Sequence, residues 1–381
     1  MVIQKQLSRA ARSVFHYLYL KAGEVAPTRA SAEHKDFDTA LWGEQAPSAV
    51  SPKVAFLCDE MTWQDFRGCC DGIFLHPRFW QEQLERFGPD FLFCEAAWTG
   101  IKGYEGSWRG RVYRDRRLLF DNRGILLDML SYCRGHGIPT VFWGKEDPTF
   151  FQHQIYDFTE TALSFDFIFT TAAECVERYR ALGHSRVGLL PFGVDTARFH
   201  PVDYPPEPGT VVFAGSWFAD QPQRCAALER LLDFSLAQGL RLDIYDRKSD
   251  SKQKRFQFPE KYRDYLCPPV AYDMTPELYH RYEYAININA VMDSATMCSR
   301  RLLQLAANGN IILTNETPVF SGLSDCLNFW PTGEPGLVYA RGNVARIAEK
   351  YSIQRQFSDL TANCCPSAAE RKRGFHDTPV G

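Results

Sequence analysis

The chain reads as an α/β protein in two halves, and three features carry that expectation. Apolar runs of strand length alternate with helical patterns from Lys53 to about Gly193, and the alternation resumes after residue 208. The prolines Pro201, Pro205, Pro206 and Pro208 separate the two series. At 381 residues the chain can fill two domains of ordinary size, each with its own core. Strand followed by helix, repeated, predicts mainly parallel sheets covered on both faces. Such sheets take ligands outside the carboxyl ends of their strands.

The first element is a helix in which Lys5, Arg9, Arg12 and Lys21 flank the apolar stretch VFHYLYL. A basic amphipathic helix can pack on its own domain or make peripheral contact with an anionic membrane; the short stripe favours the first. Residues 23–51, rich in Ala, Pro, Ser and charge, read as a linker. Residues 1–52 therefore stand apart from a first domain of 53–195 and a second of 196–381. The first domain runs through VAFLCDE, PRFWQEQLERF, DFLFCEAAW, NRGILLDMLSYCRGHG, IPTVFWGKEDP, FDFIFTT, ECVERYRALG and RVGLLPFG. Its strand ends carry Asp59 and Glu60, then Glu95, then Lys145 to Asp147. The second domain opens with GTVVFAGSW, a helix around CAALERLLDFSLAQG, and LRLDIYDR. After Ile353 the periodicity weakens and no element is assigned; a larger protein continuing past residue 381 is compatible with that tail.

Composition narrows the function. With 45% hydrophobic and 14% aromatic residues the chain is globular. A net charge of −3 provides no basic field for nucleic acid, so a phosphate ligand must be caught by local clusters. The twelve cysteines include no C-x-x-C pair and no zinc-like spacing, and read as reduced, buried thiols. No apolar run reaches the length of a membrane span and no secretory leader is evident, so the expected location is the cytoplasm or the inner face of the membrane. Without H-E-x-x-H, a metal-like D-x-D or a P-loop, neither a metal nor a cofactor is expected. The lack of G-x-G-x-x-G between strand and helix argues against an oxidoreductase.

The most informative segment runs from Ala285 to Asn315, AININAVMDSATMCSRRLLQLAANGNIILTN. Good N-terminal caps, Asp293, Ser294, Thr296 and Ser299, precede the helical pattern, and Gly309 stops it. At 100° per residue Leu302, Leu305 and Ala306 share one face, and Arg300, Arg301 and Gln304 the opposite one. Unpaired N–H groups, the positive helix end and two guanidinium groups together suit a diphosphate. The strand-end turn FAGSW presents Gly215 and Ser216 for close approach to phosphate, and Arg224 adds a third cation.

The run NINAVMDSATMCSRRLLQLAANG resembles the nucleotide-sugar-binding segment of GT-B glycosyltransferases, in the spore-coat CgeB-like and group 1 branch. PFGVDTARFHP resembles the G-V-D-x-x-R-F-x-P signature at the interdomain crossing of group 1 enzymes, and WGKEDP their W-N-K-E-D-P element, with Gly144 in place of Asn. The resemblance implies two Rossmann-like domains facing a central cleft. It implies a diphosphate-activated sugar donor bound by Gly215, Ser216, Arg224, Asn289, Ser299, Arg300, Arg301 and Gln304. It further implies a glycan or lipid-linked glycan acceptor, metal-independent chemistry, and a place in bacterial surface polysaccharide synthesis, possible also within a larger multidomain synthase.

Transfer also needs a base for the acceptor hydroxyl. In inverting GT-B enzymes it commonly lies on the first domain, and Asp59, Glu60, Glu146 and Asp147 are the candidates, with base and acceptor binder left unranked. Glu95, Trp98, Lys145 and His153 are assigned to the acceptor. One departure matters: the family's R-x-x-E places a carboxylate where this chain has Gln304, which weakens the case for a ribose diol. Two alternatives therefore stand beside the nucleotide-sugar reading. One is transfer of phosphoribose from phosphoribosyl diphosphate (PRPP), with Arg247, Lys248, Lys252, Lys254 and Arg255 as cations for a further phosphate; the other is a non-catalytic GT-B binding module. A glycoside hydrolase could use the carboxylates but has no need for a diphosphate-binding helix end.

Overall fold

A computed structural model describes residues 2–25, 52–326, 328–329 and 345–364. The expected pair of Rossmann-like α/β halves is present as two compact units. In the first, β1 (Lys53–Leu57), β2 (Asp71–Phe74), β3 (Phe91–Cys94), β5 (Thr140–Gly144), β7 (Phe167–Thr170) and β8 (Val187–Leu189) form one sheet. Its order is β2-β1-β3-β5-β7-β8 and every pairing is parallel. Two short strands, β4 (Arg114–Asp115) and β6 (Tyr156–Asp157), pair antiparallel outside it. The central strands are buried along their length because helices cover both faces, which is why FLF and VFW read as unbroken apolar runs and not as alternating ones.

The second unit repeats the plan with β9 (Glu207–Gly215), β10 (Arg241–Asp246), β11 (Leu266–Cys267), β12 (Tyr282–Ile286), β13 (Ile311–Leu313) and β14 (Asn328–Phe329). Its parallel order is β11-β10-β9-β12-β13-β14. Val211, Phe213, Leu228, Leu232, Ile244 and Ile286 are fully buried between this sheet and the helix Pro222–Ala237. Each sheet reverses its winding once, between β1 and β3 in the first unit and between β9 and β12 in the second. A crevice opens at such a reversal because successive crossovers leave in opposite directions, so these two places are where a ligand is expected.

The division differs from 53–195 and 196–381. The units are bounded at Leu190/Pro191 and at Arg355/Gln356, and the tail returns to the first unit. A helix at Ile353–Cys364, to which the sequence reading assigned nothing, makes that return. Its Ile353, Phe357, Leu360 and Cys364 recur at helical spacing and are all at most 3% exposed. Phe357 packs on Phe66 and Phe91, with ring centroids 5.4 and 6.3 Å away. The linker expected over 23–51 lies, from residue 26 on, outside the described residues.

Removing the Phe357 ring leaves a cavity among aromatic side chains that cannot collapse fully. Phe357→Ala is expected to cost about 3 kcal/mol, read as a lower urea midpoint at unchanged slope.

Candidate active site

Two clusters lie at the carboxyl ends of the strands, one in each unit. In the second unit, β9 ends at Gly215 and the guanidinium of Arg301 lies directly over it: a Cβ built on Gly215 would stand 2.8 Å from Arg301 Nη2 and 2.6 Å from the Phe213 ring. Only glycine fits there. Arg301 comes from the first turn of the helix Arg300–Asn308, with Ser299 at the N-cap and Gly309 closing the end at φ 83°, as the sequence indicated. Arg224, from the first turn of the helix after β9, is buried beside it. Burial first, and then the Arg301 charge, pulls Arg224 down to about 10. Arg247, just past the end of β10, keeps an exposed side chain, yet it is shifted the same way, by partial desolvation of its charged end and then by Arg301.

The Arg301 charge thus disfavours the charged form of both Arg224 and Arg247 in one place. Arg224 Nη1 and Ser216 Oγ are buried there without a hydrogen-bond partner among the described residues. An anion with several oxygens would relieve both conditions.

The other residues expected at the donor have more local engagements. Arg300 turns away from Arg301 and stacks on the Phe192 ring at 4.8 Å, since neighbours on a helix point about 100° apart. Asn289 accepts from the Ser299 N–H (2.8 Å) and the Asn287 amide (3.2 Å) and donates to Thr317 Oγ1 (3.2 Å). It therefore positions the loop that leads into the helix. Gln304 is buried and donates to the Tyr272 hydroxyl at 2.7 Å, while the Tyr272 ring lies 5.0 Å from the Arg198 guanidinium. The polar face of this helix is thus largely buried, not solvated. Of the loop cations weighed for a further phosphate, Arg255 pairs with Asp220 at 3.1 Å, and Arg247, Lys248, Lys252 and Lys254 are all exposed. Arg247 is the one the fold brings to Arg301. Its place after a strand next to β9 was the available signal.

In the first unit Lys145 is the hub. Its ammonium lies 2.9 Å from Asp59 Oδ2 and 2.6 Å from Glu95 Oε2, joining the ends of three adjacent strands, β1, β3 and β5, at the sheet's reversal. Asp59 Oδ1 also accepts from the Thr99 N–H, the Thr99 hydroxyl and the Gly100 N–H, at 2.7 to 3.0 Å. Burial works to raise this carboxyl, but Lys145 and the two N–H groups outweigh it and hold it at about 2. Glu95 is fully buried and accepts from the Asp59 N–H at 2.6 Å; burial raises its pKa against the pull of Lys145. Glu60 accepts from Gln64 (2.5 Å) and from the Lys102 N–H (2.7 Å), tying down the loop after β3.

Glu146 and Asp147 part company. Asp147 turns inward, 2% exposed, and accepts from the Thr170 hydroxyl (2.7 Å) and the Tyr179 hydroxyl (3.5 Å). Burial raises it to about 7 against those bonds. A Cβ on residue 144 would stand 2.3 Å from Asp147 Oδ2, so Gly144 is what lets the carboxylate fold back. Glu146 is half-buried, with its pKa raised by burial and by the negative Glu95 and Asp59, against Lys145 and a hydrogen bond from Trp98. The Trp98 indole is packed by Tyr113, Phe150, Tyr156 and Phe158, at centroid distances of 5.1 to 5.6 Å. His153 accepts the N–H groups of Ile155 and Tyr156 at Nδ1 (3.2 and 3.1 Å), which leaves its proton on Nε2. Among the described residues no three His, Cys, Asp or Glu side chains are grouped to hold a metal ion.

An acid raised to about 7 in the folded state supports stability below its unfolded pKa near 4, and that support is lost as the pH rises through 7. Urea midpoints measured from pH 4 to 8 should therefore fall less steeply for Asp147→Asn than for the unaltered protein.

No protein-family model matches the chain, and no curated protein matches it. Among solved structures it is similar to an alpha-glucosyltransferase in complex with UDP and a 13-mer DNA, at 10% identity and a TM-score of 0.47 over 85% of this chain and 99% of that one. It is also similar to sucrose-phosphate synthase from Thermosynechococcus elongatus, at 12% identity and 0.42 over 85% and 98%. A third is AviGT4, a glycosyltransferase involved in Avilamycin A biosynthesis, at 12% identity and 0.42 over 86% and 99%. At these values the likeness bears on no individual residue of this chain.

Proposed function

We propose that the chain is a glycosyltransferase that moves a sugar from a diphosphate-activated donor to a hydroxyl of a glycan or lipid-linked glycan, in surface polysaccharide synthesis and without a metal ion. The observation that carries the reading is the group of Arg224, Arg247 and Arg301 around Gly215, with Arg224 Nη1 and Ser216 Oγ buried and unpartnered among the described residues. When the bond from the anomeric carbon to the phosphate oxygen breaks, the diphosphate takes the electron pair. Fixed cations and a helix N-terminus favour that build-up of charge.

The proton of the acceptor hydroxyl goes to Glu146 in this reading. Asp59 is held at about 2 by Lys145, Glu95 is sealed, and Asp147 is bonded to Thr170 and Tyr179. Glu146, half-buried with its pKa raised by burial, is the suitable base.

A second reading, phosphoribosyl transfer from PRPP, draws on Arg247 as an extra cation and on Gln304 standing where the family has a carboxylate. Thermal shifts separate the two, since a ligand bound by the folded state raises the melting temperature. On the nucleotide-sugar reading, UDP-sugars protect and PRPP does not; the reverse result replaces it with the phosphoribosyl reading. Binding without turnover of any donor would leave a binding module.

Arg301→Ala is expected to lower kcat/KM by about 100-fold or more, together with donor protection in the melt. Glu146→Gln should lower kcat by roughly 100-fold to 10,000-fold with donor protection intact, in the same turnover and melting assays.

A further inference from the structure

The first helix, Val2–Val25, is joined to the first unit along one side. Arg9 donates to the carbonyls of Arg116, Arg117 and Leu118 at 3.1 to 3.3 Å. Ser13 Oγ accepts the Leu119 N–H at 3.0 Å, and Arg111 donates to the Leu20 carbonyl at 2.6 Å. Ser13 and Leu20 are buried by this contact. Packing on its own domain and an apolar outward face are therefore both realised, because the helix docks through its polar side.

The opposite side is apolar and exposed. Val14, Phe15 and Leu18 are 60%, 74% and 59% exposed, and Ala11 lies on the same ridge. Five of the eleven large apolar side chains exposed among the described residues belong to this one helix, and Leu119, bonded to Ser13 through its N–H, adds a sixth at 64%. An apolar patch of this kind on a surface marks a contact site. At 100° per residue Arg12 falls on one flank of the ridge and Lys21 on the other, both exposed. Residues 9–21 hold three cations and no carboxylate.

We infer that this face lies on an anionic bilayer surface, with Phe15 and Leu18 entering the headgroup boundary and Arg12 and Lys21 meeting the lipid charge. The charge pattern selects a bilayer over a protein groove: an apolar ridge with a cation on each flank and no carboxylate between them is the arrangement that satisfies both layers of such an interface at once. No described helix is long and apolar enough to cross a membrane, so the contact is one of lying on the surface.

The test is co-sedimentation of the whole chain with vesicles of phosphatidylcholine, with and without phosphatidylglycerol, at low and high salt. Binding is expected only with the anionic lipid, weakened by salt. The double variant Phe15→Asp/Leu18→Asp should bind about tenfold or more weakly, and Arg12→Glu and Lys21→Glu should each bind roughly fivefold or more weakly, one charge near such a surface being worth that much. All four positions are exposed, and an unchanged melting temperature confirms that folding is intact. No binding to anionic vesicles, or binding indifferent to these substitutions, overturns the inference. So does a dimer in sedimentation equilibrium that Phe15→Asp/Leu18→Asp abolishes, which would assign the face to a second copy of the chain.

Discussion

A single ammonium group, that of Lys145, holds the ligand end of the first unit in order. Three parallel strands deliver Asp59, Glu95 and Lys145 to one point, and two carboxylates so placed could not both stay ionised without a cation between them. The pair need not add net stability, because desolvating three charges is expensive; its effect is that removing any one member strands the others. Lys145 thereby fixes the turns after β1, β3 and β5 relative to one another. It also leaves Glu146, the next residue along, as a partly buried carboxylate without an ion pair of its own among the described residues, as Asp147 is, but without the two hydroxyls that hold Asp147.

The second unit solves the same geometric problem with the opposite electrostatics. Its winding also reverses beside the end of the first strand, but the side chains gathered there are cations that repel each other. Where the first unit supplies its carboxylates with a cation of its own, the second holds charge that an incoming anion would complete. Arginine is suited to this because it stays protonated when crowded and spreads its charge over a plane that can rest on aromatic rings, as Arg301 does on Phe213 and Arg224 on Phe218.

Much of this was legible in the residues, for reasons that can be named. The alternation of strand and helix gives two parallel sheets because both patterns are local and strong. The helix after Ser299 was readable from its cap and its terminal glycine, and Gly215 from its place at a strand end. What escaped depends on contacts between distant segments. Arg300 and Arg301 read as a pair, yet one helical step sends them to different neighbours. Lys145 read as a ligand for the acceptor, because nothing local shows that two buried carboxylates converge on it. Arg247 looked like one member of a basic loop; only the sheet order separates it from Lys248. The tail helix did carry a signal, Ile353, Phe357, Leu360 and Cys364, but four apolar residues among polar ones are weak evidence until a surface is found for them.

The return of that tail has a bearing on how the protein comes into being. The second unit is one continuous stretch of chain, whereas the core of the first is finished by Phe357, which leaves the ribosome only after all of the second unit has been made. Vectorial synthesis therefore leaves Phe66 and Phe91 without this aromatic neighbour until the second unit has emerged, so of the two units the earlier-made one is completed after the later-made one.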